Sequence, residues 1–373
     1  MKTSNLNRRQ AMLNIEKFLA DRGVPDAMVM SSGKRVKNVK DFEKRREELK
    51  KILEEEAYGV IPPKPDHLKV EEVSVMDNFC AGKAPWQKLK FICAIGDKEF
   101  SFPVSAVIPK SEKPLPAFVH INFRDAVPDR YMPSEELVDR GYAVFSFCYT
   151  DVSSDDGNFK DKCAKYLSNR RRKNGSSKIA IWAWAAMRVM DYIETLDSID
   201  KDNVAVIGHS RLGKTAMVAG GYDERFKYII SNDSGCGGAA ITRGKVGETF
   251  EWMADVIPFW FCPRWFDKVK AGIELPYDQN FLAALSVPRH LMIGSAETDD
   301  WSDPESEFLN CASTNEAYAL YGKRGLIYGD EIPKPKTVLG EGDALYHIRH
   351  GNHYFSREDW LVYMEYIDKQ LGR

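Results

Sequence analysis

The stretch "NVAVIGHSRLGKTAMVAG", residues 203–220, constrains the fold more than any other part of this chain. Six residues with the apolar content of a buried strand run into a turn built on Gly208 and Ser210, and an amphipathic run follows at helical spacing. A strand, a sharp turn and a helix raise one side chain above a sheet edge and aim backbone N–H groups at whatever binds there. The usual nucleophile elbow reads G-x-S-x-G, because the turn is cramped. Here the first glycine is in place, but the second has moved out to Gly213. Ser210 is therefore a candidate nucleophile, and a serine that merely N-caps a helix is the bland alternative.

The rest of the chain supplies a sheet for that turn. β-like runs occupy 86–149, and "IAIWAWAAMRVMDYIETL" (179–196) reads as a mostly apolar helix. Strand and helix then alternate: "KYIISND" (227–233), a long insertion, "RHLMIGSA" (289–296), a helix near 305–321, "ALYHIR" (344–349) and a closing amphipathic helix. Such alternation implies an α/β fold with a mostly parallel sheet and helices on both faces, with catalytic groups at the carboxyl ends of the strands. The expectation is one domain over 1–373, with an N-terminal helical extension over about 1–60 that includes a charged helix at 40–58. The basic stretch 159–178 reads as a solvated loop, with a place at the rim of a binding cleft as the alternative. No internal repeat or linker is evident.

Composition excludes several classes. A formal net charge of -2 on 373 residues recruits neither nucleic acid nor an anionic membrane. Seven scattered cysteines form no zinc-like spacing and no disulfide framework, and no metal or cofactor is expected. No run of eighteen apolar residues and no export signal is visible, which points to a cytoplasmic location for the chain as written, or to a secreted or periplasmic one if a leader was removed. The expected state is a monomer.

A serine hydroxyl needs a base, and in hydrolases of this order the histidine follows a late strand. His353, in "RHGNHYFSREDW", lies in a glycine-containing loop before the last helix and is the preferred base. His350 is the fallback, His347 reads as a strand residue, and the side chain of His209 should point away from that of Ser210. Two places can supply the carboxylate that orients the imidazole. Glu297, Asp299 and Asp300 directly follow one strand, and Asp233 ends another. The residues alone favour the first group.

"GHSRLGKTA", "SNDSGCGGAA", "GET", "WFCPRW", "LPYDQNFLAAL", "DDWSDP" and "YHIRHGNHYFSREDW", in this order over about 203–360, resemble the glucuronoyl esterases, carbohydrate esterase family 15, of the bacterial type. The resemblance implies an α/β-hydrolase fold and a metal-free serine esterase. Its reaction would cleave esters of glucuronic or 4-O-methyl-glucuronic acid on glucuronoxylan, with lignin-carbohydrate fragments as partners. It implies Ser210 as nucleophile, Arg211 as oxyanion support, and Lys214, Glu248 and Trp301 as holders of the uronate ring. By the family's spacing it also moves the preferred acid to Asp233, where relatives have glutamate, with Asp299 as the alternative that some bacterial members match. The cysteine that fungal members carry before the serine is replaced by His209. An acetylxylan esterase or general carbohydrate esterase would use the same triad, and a polysaccharide-binding protein with a degenerate hydrolase fold is the non-enzymatic competitor.

Overall fold

The computed structural model describes residues 13–373. Its ten strands are β1 (His67–Phe79), β2 (Ala84–Ile95), β3 (Lys98–Val107), β4 (Leu115–Asn122), β5 (Ala143–Cys148), β6 (Ile199–His209), β7 (Tyr228–Asn232), β8 (His290–Ala296), β9 (Thr337–Leu339) and β10 (Leu345–Arg349). They form one sheet in the order β1-β2-β3-β5-β4-β6-β7-β8-β10-β9. The six strands from β5 to β10 in this order, β5-β4-β6-β7-β8-β10, pair in parallel. The flanking strands pair antiparallel. This is the α/β-hydrolase arrangement expected above.

Burial explains the division. Strands β4, β5, β7, β8 and β10 are buried at every position, as parallel strands covered on both faces must be. β1 is largely exposed, and its polar sequence hid it from the reading above. The helix Lys178–Ile193 is buried almost all round, and such a helix belongs inside a core rather than at its surface. Ser177 starts it by accepting from the N–H of Ala180 at 3.2 Å. The closing helix, Arg357–Leu371, opens on a capping box between Ser356 and Asp359.

Toward the N-terminus, the helix Val39–Glu56 begins at Asn38, whose side chain accepts from the Asp41 N–H at 2.9 Å. A shorter helix, Ile15–Asp21, precedes it. Residues 1–12 of the expected extension lie outside the described residues. Two expectations need correction. The helix placed near 305–321 is two, Pro304–Ser313 and Asn315–Leu320, with Thr314 between them bonding its hydroxyl back to the Cys311 carbonyl at 2.6 Å. The basic stretch 159–178 is not simply solvated: Lys178 is buried, bonded to Ser153 Oγ at 2.5 Å and the Asn158 carbonyl at 2.6 Å. All seven cysteines are free and buried. No described helix is long and apolar enough to cross a membrane.

Candidate active site

Four parallel strands end beside one another, and each hands the chain to a polar side chain. Ser210 follows β6, Asp233 follows β7, Asp299 lies three residues after β8 and His353 four after β10. The register places His209 opposite Asn232, Asn232 opposite Gly294 and Gly294 opposite His347, so the four loops start from one row. This is the sheet edge at which such folds build sites.

Ser210 sits at φ 57° and ψ −130°, a conformation that side chains rarely adopt, and heads the helix Arg211–Tyr222. Backbone strain of this kind at a turn carrying a reactive side chain is the elbow's signature. Its hydroxyl makes no capping bond, which removes the plain N-cap reading. The turn is held by the Ser210 N–H donating to the Asn232 carbonyl at 2.9 Å. A Cβ at position 208 would lie 2.1 Å from the Leu212 carbonyl oxygen, and one at 213 would lie 2.8 Å from Ser234 Cβ. The displaced second glycine thus serves a helix that packs against the 231–234 turn. The N–H groups of Gly213 and Lys214 close on the Ser210 carbonyl. Those of Arg211 and Leu212 have no acceptor among the described residues, as expected of a helix start.

His353 is exposed, and its Nδ1 lies 2.7 Å from Asp299 Oδ2, which is buried. Burial pushes the Asp299 carboxyl up, but the bond and charge of His353 and the Ser302 N–H outweigh it and hold it below the usual carboxylate range. The ring of His353 lies against His209, centroids 4.6 Å apart, which brings it to the residue next to the serine.

Of the two expected acids, Asp299 rather than the preferred Asp233 makes the hydrogen bond to His353. Asp233 is buried and accepts from Arg349 Nη2 at 3.0 Å through Oδ2, while Oδ1 has no partner among the described residues. Arg349 also holds Asp359 through Nε at 2.9 Å. Burial and the neighbouring Asp359 push the Asp233 carboxyl well up, against the pull of Arg349. Asp233 does approach the imidazoles: His209, Asp233 and His353 place ligand-type atoms within 4.8 Å of one another. The hydrogen bond to His353, however, comes from Asp299.

The other candidates separate cleanly. His350 pairs with Glu297 at 2.6 Å, both exposed. Asp300 is exposed. His347 is a buried strand residue, as expected. His209 gives Nδ1 to Asn232 Oδ1 at 2.8 Å, and burial with the nearby His353 lowers its pKa to about 3, so it stays neutral.

Lys214 is buried, donating to Glu248 at 3.0 Å and to the Ser234 carbonyl at 2.6 Å. Glu248 is buried with it, and its N–H bonds the Trp301 carbonyl at 3.0 Å. Trp301 is exposed, edge-on to the exposed Trp252 at 4.9 Å. Arg211 pairs with Asp155 and lies over the rings of Trp260, at 4.9 Å, and Phe123, at 5.7 Å. Sequence reasoning named none of Asp155, Trp260, Asn232 or Arg349. Asn232 and Arg349 sit one to four residues from named ones at strand ends, and that proximity was the available signal.

This geometry can be compared with known proteins. The family model for glucuronyl esterases of fungi matches residues 92–322, more than half of the chain. The chain is 31% identical over 392 residues to carbohydrate esterase MZ0003 of an unknown prokaryotic organism, covering 93% of this chain and 89% of that one. The chain belongs to the glucuronoyl esterase family. The 4-O-methyl-glucuronoyl methylesterase of Neurospora crassa is 29% identical over 311 residues, covering 80% of this chain and 73% of its own. A solved glucuronoyl esterase from Solibacter usitatus superposes with a TM-score of 0.84 at 30% identity, over 93% of this chain and 97% of that one. Family membership and the parallel-sheet architecture agree.

Proposed function

We propose that this chain is a serine esterase that hydrolyses alkyl or aryl esters of glucuronic or 4-O-methyl-glucuronic acid through an acyl-enzyme, as on lignin-carbohydrate fragments of glucuronoxylan. With Nδ1 of His353 engaged by Asp299, Nε2 is the nitrogen left to take the Ser210 proton. Ser210 Oγ attacks the uronoyl carbonyl carbon, and the carbonyl oxygen becomes an anion. The N–H groups of Arg211 and Leu212 and the Arg211 guanidinium are the donors for it, each worth roughly 3 kcal/mol where it is preorganised. The imidazolium returns its proton to the alcohol as the C–O bond breaks. Water, losing a proton to the same nitrogen, then releases the uronic acid and restores the Ser210 hydroxyl.

The observation that carries the uronate reading is the buried Lys214–Glu248 pair, one turn from the serine and joined through the backbone to Trp301. A buried cation and anion next to a nucleophile offer a donor and an acceptor to a hydroxylated acid ring, whereas a small acyl group needs neither. Trp301 adds an exposed indole for the ring. The deciding experiment compares hydrolysis of benzyl glucuronate with that of 4-nitrophenyl acetate, using Ser210→Ala as control. Serine-dependent cleavage of the glucuronate ester supports the reading. Cleavage of acetate alone makes the protein an acetyl or general carbohydrate esterase and removes the uronate roles of Lys214, Glu248 and Trp301.

A further inference from the structure

A donor that stabilises an oxyanion contributes most when it is already in place, because reorienting it at the transition state costs part of what it gives. Arginine has a long side chain, so something must hold Arg211 still. The structure supplies a carboxylate for this purpose, in the loop after β5.

Asp155 accepts three hydrogen bonds. Its Oδ2 takes Arg211 Nη1 and, at 3.0 Å, the Tyr149 hydroxyl; its Oδ1 takes Trp260 Nε1 at 2.7 Å. The donors come from three separate segments: the elbow helix, the turn after β5, and the long insertion between β7 and β8. Trp260, fixed by Asp155 through its Nε1, also presents its ring to the Arg211 guanidinium and, at 5.6 Å, to the Lys214 ammonium. One carboxylate therefore fixes both the cation and the aromatic plate beneath it.

The pattern of free groups on Arg211 indicates the purpose. Nη1 is spent on Asp155, while Nε is buried with no acceptor and Nη2 has none among the described residues. Nε–H and one N–H of Nη2 run parallel along a single edge of the planar group, a fork suited to oxygen. A buried, unpartnered donor costs on the order of 1–3 kcal/mol, so it is retained where a ligand will pair it.

We propose that Asp155 is a positioning residue for the reaction: it takes the far end of the Arg211 guanidinium so that the Nε–Nη2 edge stands ready for the substrate carbonyl oxygen. This rests on the esterase reading above, but not on the uronate, since the oxyanion is common to every ester. Asp155 touches no reacting atom. Its effect passes through Arg211.

The test is a double-mutant cycle between Asp155→Asn and Arg211→Ala, read as kcat and KM on both benzyl glucuronate and 4-nitrophenyl acetate. Asp155→Asn should lower kcat on the order of 10- to 100-fold, the scale of a misplaced catalytic group, with KM changed less than about threefold. Asp155→Glu should recover part of the loss. In the Arg211→Ala background, Asp155→Asn should change kcat less than about twofold, since the group it positions is gone. Tyr149→Phe, which removes one donor and leaves all charges, should lower kcat in the same direction and likewise lose its effect without Arg211. Independent multiplication of the two losses, or a rise in KM with kcat intact, overturns the proposal. If acetate is cleaved and glucuronate is not, the cycle on acetate still decides the role of Asp155, so failure of the uronate reading is told apart from failure of this one.

Discussion

Replacing Asp299 by asparagine should nearly silence the enzyme, and replacing Asp233 should not. Asn keeps the volume of Asp, so the cleft need not rearrange. At 299 it exchanges a charged acceptor 2.7 Å from His353 Nδ1 for an amide. An amide accepts more weakly, and when its NH2 faces the ring it favours the tautomer with the proton on Nε2, the atom that must receive the serine proton. In serine hydrolases with this arrangement the loss is roughly 10⁴ in kcat, about 5.4 kcal/mol of barrier at 1.36 kcal/mol per decade. Asp233 makes no hydrogen bond to His353; its Oδ2 is paired with Arg349 at 3.0 Å.

At position 233 the reasoning runs the other way. Burial and Asp359 push the carboxyl up there, against the pull of Arg349, and it makes no hydrogen bond to His353, so asparagine takes nothing from the imidazole. Asp233→Asn should therefore cost less than about tenfold in kcat and little in Tm. Steady-state hydrolysis of benzyl glucuronate by the two variants, with Tm measured alongside, decides between them. An Asp299→Asn enzyme keeping a tenth of its kcat, beside an Asp233→Asn enzyme that has lost a hundredfold, would refute the reasoning and return the orienting role to Asp233.

Four other outcomes can be checked. Arg211→Ala should lower kcat by roughly 10²–10³, the cost of one oxyanion donor, measured on any ester the protein cleaves. Ser210→Gly and Ser210→Ala should both be inactive, yet the glycine variant should be more stable by about 1 kcal/mol in denaturant titration, since only glycine is at ease at φ 57°. Glu248→Gln and Lys214→Met should each destabilise by about 3–5 kcal/mol by stranding a buried charge, and the double variant should melt above the sum of the singles. Glu307 is fully buried and accepts from the N–H groups of Ser234 and Gly235 and from Ser295, yet burial still pushes its carboxyl up to about 8. With its unfolded value near 4.5, the folded protein holds the extra proton between those limits, so stability falls as pH rises from about 4.5 to 8. Tm measured across that window should decline less steeply in Glu307→Gln.

How much of this was legible in the sequence depended on whether a feature is local. The elbow was, because buried strand, glycine, serine and helix follow within eighteen residues. The parallel strands were, because burial on both faces leaves continuous apolar runs such as those of β7 and β8. β1 was not: an edge strand facing solvent has no apolar pattern to show. Lys214 and Glu248 are 34 residues apart, and nothing near either one announces that burial makes them partners. Asp155 lies 56 residues before Arg211 in an irregular loop, where a carboxylate reads as solvated.

The choice of acid shows the limit most sharply. Asp233 and Asp299 both follow strands adjacent in the sheet, and both reach the neighbourhood of His353, so reach alone does not separate them. The separation comes from Arg349, which reads as the last residue of a strand. It stands four residues before His353, so the segment that carries this imidazole also carries the cation paired with Asp233. Asp299 makes the hydrogen bond to the imidazole, while Asp233 is paired through Oδ2 with Arg349. An exchange of function between the two acids would involve Arg349 as well as either aspartate.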